Sequence, residues 1–470
     1  MDSSQNDLPL SELTALSPLD GRYRDKISPL ATYLSEFSLS RVRAEVECSY
    51  LAALSKHNVI RELTLDERKF LESLGPNLTL DDVTEIKRIE DTLKHDVKAV
   101  EVYIREKVSD TSLLDVIEFV HFGITSEDIN NVSYRLMLKR ASDNVVIPTL
   151  TDIVKKLLLL SNTYKDLAML GRTHGQPAIP TTLGKELIVF ASRLAIELEK
   201  LQKTKFSGKI AGAIGNYNAL KISYPDTDWI EFAKDFVENL GLTHSYAVTQ
   251  INTYEDIIEF FQVVERINNI FLDFNQDMWR YISDGWFIQE VQEKEVGSST
   301  MPQKVNPIFF ENSEGNIGLA NSLIELFVRK LPISRLQRDL SDSTVIRNFG
   351  PALGYSFLAY QNTLIGVSRV KPDEKALKSA LLNDWSILSE AAQTILRKEG
   401  VKDPYSLLKS LTRGEVITEA SWKDIINNLP VSEDTKRMLQ TVSPQKYIGI
   451  APEIVLTRTQ EIKKRLGLHD

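Results

Sequence analysis

Seven apolar residues, Ile257, Phe261, Val264, Ile267, Phe271, Phe274 and Met278, recur at steps of three and four through 257–278. That spacing keeps one face of an α-helix apolar, and at about 1.5 Å per residue the stretch runs roughly 30 Å. A stripe this long needs partners of similar length. The sequence supplies them: Leu150, Ile153, Leu157, Leu160 and Tyr164 repeat the pattern, as do Leu187, Phe190, Leu194, Leu198 and Leu201, and then Leu353, Phe357, Tyr360 and Leu364. Several long helices with seams near 3.5 residues pack lengthwise as a bundle rather than around a sheet. The expected fold class is therefore mainly α, and helices of this length are expected to share their apolar faces between subunits. The polar stretch 108–112 and the segment 366–374, with Gly366 and Pro372, interrupt the pattern. They predict domains at 1–112, 113–366 and 367–470. Solenoid-period repeats and low-complexity tracts are absent, so the bundle is one module.

Composition narrows the function. The 470 residues carry 56 Lys+Arg against 65 Asp+Glu, a net charge of −9, which disfavours a broadly cationic nucleic-acid binder. At 42% hydrophobic and 26% charged, the chain has the balance of a globular protein. It has no apolar run of the roughly 18 residues that mark a membrane span. The start MDSSQNDLPL does not read as a secretory signal. Cys48 is the single cysteine, which excludes an intrachain disulfide and fits a reducing compartment. The cytosol is expected, with an organelle left open if a transit peptide was removed. The six histidines are nowhere spaced i, i+3 or i, i+4, so no metal site is expected.

Five segments hold the candidate chemistry. GSSTMPQKVNP at 297–307 is a serine-rich loop with Lys304 close to its hydroxyls. It reads either as a solvated turn or as a loop whose serine removes a proton while cationic and amide donors stabilise the alkoxide. GRTHGQPAIPTT at 171–182 sets His174 between glycines. It reads as an acid or base near neutral pH, or as a loop histidine before a helix that Pro180 and Thr181 begin. In HFGITSEDIN at 121–130, Thr125 to Asp128 has capping-box spacing. The same helix start, with its amides and hydroxyls, is equally a carboxylate site. KHDVKAVE at 94–101 and RDLSDSTVIRN at 338–348 cluster Lys94, His95 and Asp96, and Arg338, Ser343, Thr344 and Arg347. The second set suits phosphate, and both also read as solvated charged faces. The glycines of GKIAGAIGN do not form a P-loop, because Ile210 follows Lys209 where Ser or Thr is needed.

Together these segments resemble the fumarase and aspartase superfamily, in which HFGITSED, RTHGQP and GSSTMPQKVNP occur in this order. SPLDGRY at 17–23, KHDVKAVE, GAIGNYNA at 212–219, VTQI at 248–251, NPIFFENSEGN at 306–316 and RDLSDSTVIRN are similar to the bacterial-type adenylosuccinate lyase family. The similarity runs from about residue 11 to residue 451. It implies a three-domain, mostly helical subunit. The subunits form a homotetramer with a shared central bundle, and each active site is assembled from three of them. It further implies release of fumarate from succinylated purine nucleotides with no metal or organic cofactor.

By the same resemblance Ser298 is the general base and His174 the general acid, with Glu311 orienting His174. Lys304, Asn306, Thr125 and Ser126 are expected to hold the carboxylates as charge builds there, with His121 near the succinyl region. Arg22, Tyr23, Arg338, Ser343, Thr344 and Arg347 are expected on the phosphate side, and Lys94, His95, Asp96, Gln250 and Asn312 around base, ribose or succinyl groups. Two positions depart from the family pattern: Gln303 stands where His is usual, and Lys94 where Asn is expected. Another fumarate-releasing lyase, such as one acting on argininosuccinate, is the alternative enzyme. A catalytically silent structural oligomer is the alternative of a different class.

Overall fold

The computed structural model describes residues 9–290, 300, 301, 303–414 and 416–468. Long helices form where the apolar periodicity places them: Ile147–Thr163, Leu183–Gln202, Glu255–Ser283 and Phe349–Ser368, with Ile308–Lys330 added. Strand structure among the described residues is confined to short pairs, so the class is mainly α as expected. No helix among the described residues is long and apolar enough to cross a membrane. The chain divides into two compact units. The first comprises Met1–Thr149, Lys200–Asn269 and Gly315–Ala359, and the second Leu150–Glu199, Ile270–Glu314 and Tyr360–Asp470.

In the first unit the long helices meet through aromatic rings. Phe261 lies 4.9 Å from Phe327 and 5.1 Å from Phe349, and Phe327 lies 5.1 Å from Phe349. Each such pair contributes about 1 kcal/mol beyond the area it buries. Beside them the buried Asn268 amide donates to Asn321 at 2.8 Å and to Ser356 at 3.0 Å. The second unit has a matching layer. Asn275 donates to Ser313 at 2.8 Å, Ser313 and Thr363 hydroxyls bond at 2.9 Å, and Thr363 donates back to Asn275 at 3.0 Å. Asn275 follows Asn268, and Thr363 follows Ser356, by one heptad. Buried polar layers with that spacing fix axial register, because sliding any one helix leaves polar groups unpaired.

The pattern does break near the two expected places. The helix Asp96–Ser109 ends just inside 108–112 and a 3-10 segment, Ser112–Phe119, follows. At the other, the helix continues to Ser368 before the strand Val370–Pro372. Gly366 is thus inside a helix, where a Cβ would come within 2.9 Å of the Phe310 ring. Glycine serves packing there, not chain reversal. A second expectation is corrected: Pro180 and Thr181 lie in the strand Gln176–Thr182, and the helix begins at Leu183. Pro180 pairs with Leu170 and Thr181 with Met169 across a hairpin, and pairing displaces the helix start that Pro180 signals.

Candidate active site

In the first unit two helix N-termini converge. Thr125 caps the helix Ser126–Ala141, and Asp128 Oδ2 accepts the Thr125 amide at 2.8 Å, realising the capping spacing. His95 caps the helix Asp96–Ser109, its Nδ1 accepting the Lys98 amide at 3.2 Å. With Nδ1 an acceptor, the neutral ring carries its proton on Nε2, which lies 3.4 Å from Ser126 Oγ. Lys94, just ahead, is exposed and left-handed at φ 55°, ending the helix Leu80–Leu93. Helix N-termini that face one another concentrate positive potential, which suits a carboxylate.

The cations stand close by. Arg347 reaches Glu36 at 3.4 Å and Asp96 at 3.5 Å while about half exposed. Asp96 also holds Arg43 at 2.6 Å. Burial works to raise the Asp96 pKa, but Arg43, the Val97 amide and Arg347 outweigh it and the net direction is down. Arg338 sits between Glu127 at 3.2 Å and Asp342 at 3.7 Å, with Gln250 Oε1 at 3.5 Å. Gln250 in turn donates to the Ala213 carbonyl at 2.9 Å. Burial pushes Glu127 up to about 7 against the pull of Arg338. Ser343 and Thr344 lie on the short helix Ser341–Ile346 between the two arginines in sequence. Arg22 is exposed and Tyr23 half-buried at the start of the helix Arg24–Leu34. His121, at φ 60°, bonds through Nδ1 to Glu47 at 2.6 Å.

The second unit holds the other candidates. His174 and Gly175 have φ of 52° and 74° and form the two-residue turn joining strands Ala168–Thr173 and Gln176–Thr182. Two consecutive positive φ values are what a tight hairpin turn requires. Arg172 braces the turn, donating to the Gly175 carbonyl at 3.2 Å and lying 5.2 Å over the Trp286 ring. The imidazole is exposed at the tip. Lys304 is exposed, with its amide bonded to the Met301 carbonyl at 3.1 Å, and Asn306 precedes the helix Ile308–Lys330. On that helix Asn312 accepts from Asn362, and Glu311 accepts from Trp279 Nε1 at 3.1 Å. Within the chain, among the described residues, no bond joins Glu311 to His174. Ser298 lies outside the described residues.

Several groups that matter here escaped sequence reasoning. Lys209 and Asp128 form a fully buried ion pair at 2.8 Å, and Asp128 also accepts the Ala211 and Gly212 amides at 2.9 and 3.0 Å. The glycines near Lys209 serve the backbone: a Cβ at Gly215, φ 83°, would come 2.3 Å from the Val248 carbonyl oxygen. Nothing in the pattern of a charged helix distinguishes Glu47, Glu127 or Arg43 from solvated neighbours. Only their burial does, and burial is a tertiary property.

The family model described as Lyase matches residues 21–320, and that described as Adenylosuccinate lyase C-terminal matches 334–448. The chain is 45% identical over 450 residues to the adenylosuccinate lyase of Haemophilus influenzae, covering 95% of this chain and 99% of that one. It is 44% identical over 458 residues to that of Escherichia coli, covering 97% and 100%. Among solved structures, a fumarate lyase from Mesorhizobium matches with a TM-score of 0.74 at 16% identity, covering 95% of this chain and 98% of that one. That last likeness shows a shared fumarate-lyase fold. The chain belongs to the adenylosuccinate lyase family of the fumarase and aspartase superfamily.

Proposed function

We propose that the chain is a C–N lyase that releases fumarate from adenylosuccinate, leaving AMP, and from the succinylated aminoimidazole carboxamide ribotide, leaving its carboxamide. The observation that carries this reading is the identity of 44–45% over nearly the whole chain to proteins of that activity. Ser298 takes the proton from the carbon beside a succinyl carboxylate. The C–N bond then breaks, its electrons pass to nitrogen, and His174 protonates that nitrogen. The proton removed is weakly acidic, so the rate depends on donors aimed at the carboxylate that gains charge. Thr125, Ser126, His95, Lys304 and Asn306 are assigned to that task, with Asn312 and Gln250 positioning the nucleotide. Arg22, Tyr23, Arg338, Ser343, Thr344 and Arg347 take the phosphate. A locally cationic site of this kind is compatible with a net charge of −9, since local potential governs binding.

The working form is proposed to be a cytoplasmic homotetramer with three domains per subunit and sites shared between subunits. Supporting this, Leu319 and Leu326 stand exposed one heptad apart on the helix Ile308–Lys330, at 51% and 41%. Exposed apolar residues at that spacing form a seam that a partner helix covers. The bond of Glu311 to Trp279 rather than His174 in one chain agrees with a pairing made between subunits.

The direct test is to supply the purified protein with adenylosuccinate and, in parallel, argininosuccinate, separating products by chromatography. Fumarate and AMP from the first alone are expected. Turnover of only the second overturns the substrate assignment. The phosphate assignment makes its own prediction: Arg347→Leu removes a charge-assisted contact of about 1.5–3 kcal/mol. KM for the nucleotide should rise roughly 10- to 100-fold with kcat little altered, and an unchanged KM excludes the role.

A further inference from the structure

His121 is held in an unusual way. Its backbone is left-handed at φ 60°, a conformation uncommon for a residue with a Cβ. Two side chains from one face of the helix Glu36–Lys56 hold this turn. Tyr50 donates its hydroxyl to the Phe122 carbonyl at 2.8 Å, and Glu47, three residues earlier, bonds His121 Nδ1 at 2.6 Å. The turn they grip runs directly into Thr125 and Ser126, the helix start assigned to a substrate carboxylate.

We infer that Glu47 is the positioning residue of His121, a buried carboxylate that fixes the ring with Nε2 turned to the ligand and keeps it cationic toward an anionic substrate group. This rests on the reading given under Proposed function for the substrate, though not for the geometry. Three carboxylates bear on His121: Glu47, Glu101 from the helix Asp96–Ser109 and Asp128 from the helix Ser126–Ala141. Two already have cations, Glu101 with Lys98 at 2.7 Å and Asp128 with Lys209 at 2.8 Å. Glu47 has only the imidazole, and its second oxygen is buried without a partner among the described residues. Burial raises the Glu47 pKa, and the bond and charge of His121 work against that rise, so the carboxylate holds its charge through the imidazolium it faces. Burial alone lowers the His121 pKa, yet the bond to Glu47 and the charges around it carry the net direction upward. The division of labour matters, because Tyr50 anchors the backbone and leaves Glu47 free to act on the ring.

The sign follows from linkage. A histidine with a raised pKa keeps its charge to higher pH, so anion binding persists on the alkaline side and fades as pH climbs through the raised value. Glu47→Gln keeps the shape and removes the charge. KM for adenylosuccinate, measured from pH 6 to 9 on the full-length enzyme, should then begin to rise at least one pH unit earlier than in the unaltered enzyme, a roughly tenfold difference per unit on the alkaline side. Coincident profiles overturn the inference. So does a KM raised by one constant factor at every pH, which is the mark of lost packing. On a His121→Gln background, Glu47→Gln should add nothing to KM at pH 8, and an additive effect contradicts the coupling. If Glu47→Gln does not assemble, Glu47→Asp, which withdraws the carboxylate by one methylene, should give a smaller shift in the same direction. If the unaltered enzyme ignores adenylosuccinate, it is the substrate reading that fails. The His121 inference is then read without substrate, from the pH dependence of diethyl pyrocarbonate labelling of the His121 peptide by mass spectrometry. Its midpoint should fall in Glu47→Gln, and an unmoved midpoint defeats the inference.

Discussion

His174→Asn is expected to lower kcat by roughly 10²–10⁴, the usual contribution of one general acid or base, with KM within a few-fold of the original. Asparagine is the informative substitute because of where His174 sits. At φ 52°, beside Gly175 at φ 74°, it occupies the first position of a hairpin turn that needs positive φ. Asparagine tolerates that conformation at least as well as histidine, so the turn and the Arg172 brace on the Gly175 carbonyl survive. It also keeps a hydrogen-bond donor. What it cannot do is give a proton to the departing nitrogen, so the loss should fall on kcat and kcat/KM together. A kcat within tenfold of the original would show that nitrogen leaves without help from His174. Comparing product release with steady-state turnover guards against a slow later step, since lid or product motions limit kcat in many enzymes.

What could be read from sequence divides along physical lines. The long helices were legible because an apolar residue every three or four positions has one economical explanation. Ile257 to Met278 needed no tertiary information to place them on one face. The cap at Thr125 was legible for the same reason, being a local arrangement of amides and carboxylate. The hairpin carrying His174 was not, because Pro180 and Thr181 signal a helix start equally well until strand pairing decides the matter. Gly366 reads as a break, because glycine looks the same in sequence whether it ends a helix or makes room for a ring, here that of Phe310. Least legible were the buried charges. Lys209 resembles any lysine beside glycines, and Glu47 any glutamate on a charged helix, until folding removes water from both. The buried groups that pair with motif residues, Glu47 with His121 and Lys209 with Asp128, thus carry no mark of their own in the sequence.

Lys209→Met tests that distinction by its effect on stability. Lys209 Nζ and Asp128 Oδ1 lie 2.8 Å apart with both side chains at 0% exposure. Breaking a buried pair from one side leaves an uncompensated charge and typically costs 3–5 kcal/mol. Asp128 retains the amides of Thr125, Ala211 and Gly212 at 2.8, 2.9 and 3.0 Å, and donors of this kind support a carboxylate. The expected loss is therefore near the lower end, about 3 kcal/mol, measured as a fall in the urea midpoint at a fixed protein concentration, which an oligomer requires. Adding Asp128→Asn should restore part of the loss, because the amide oxygen still accepts a backbone hydrogen while no charge remains to be buried. If instead the single variant unfolds at the original midpoint, the ion pair adds nothing that the three amides do not already supply. The consequence for catalysis follows from position. Asp128 closes the helix start that carries Thr125 and Ser126, so a loosened Asp128 should raise KM before it changes kcat. The same variant thus reports on how far substrate binding depends on a lysine whose side chain is wholly buried.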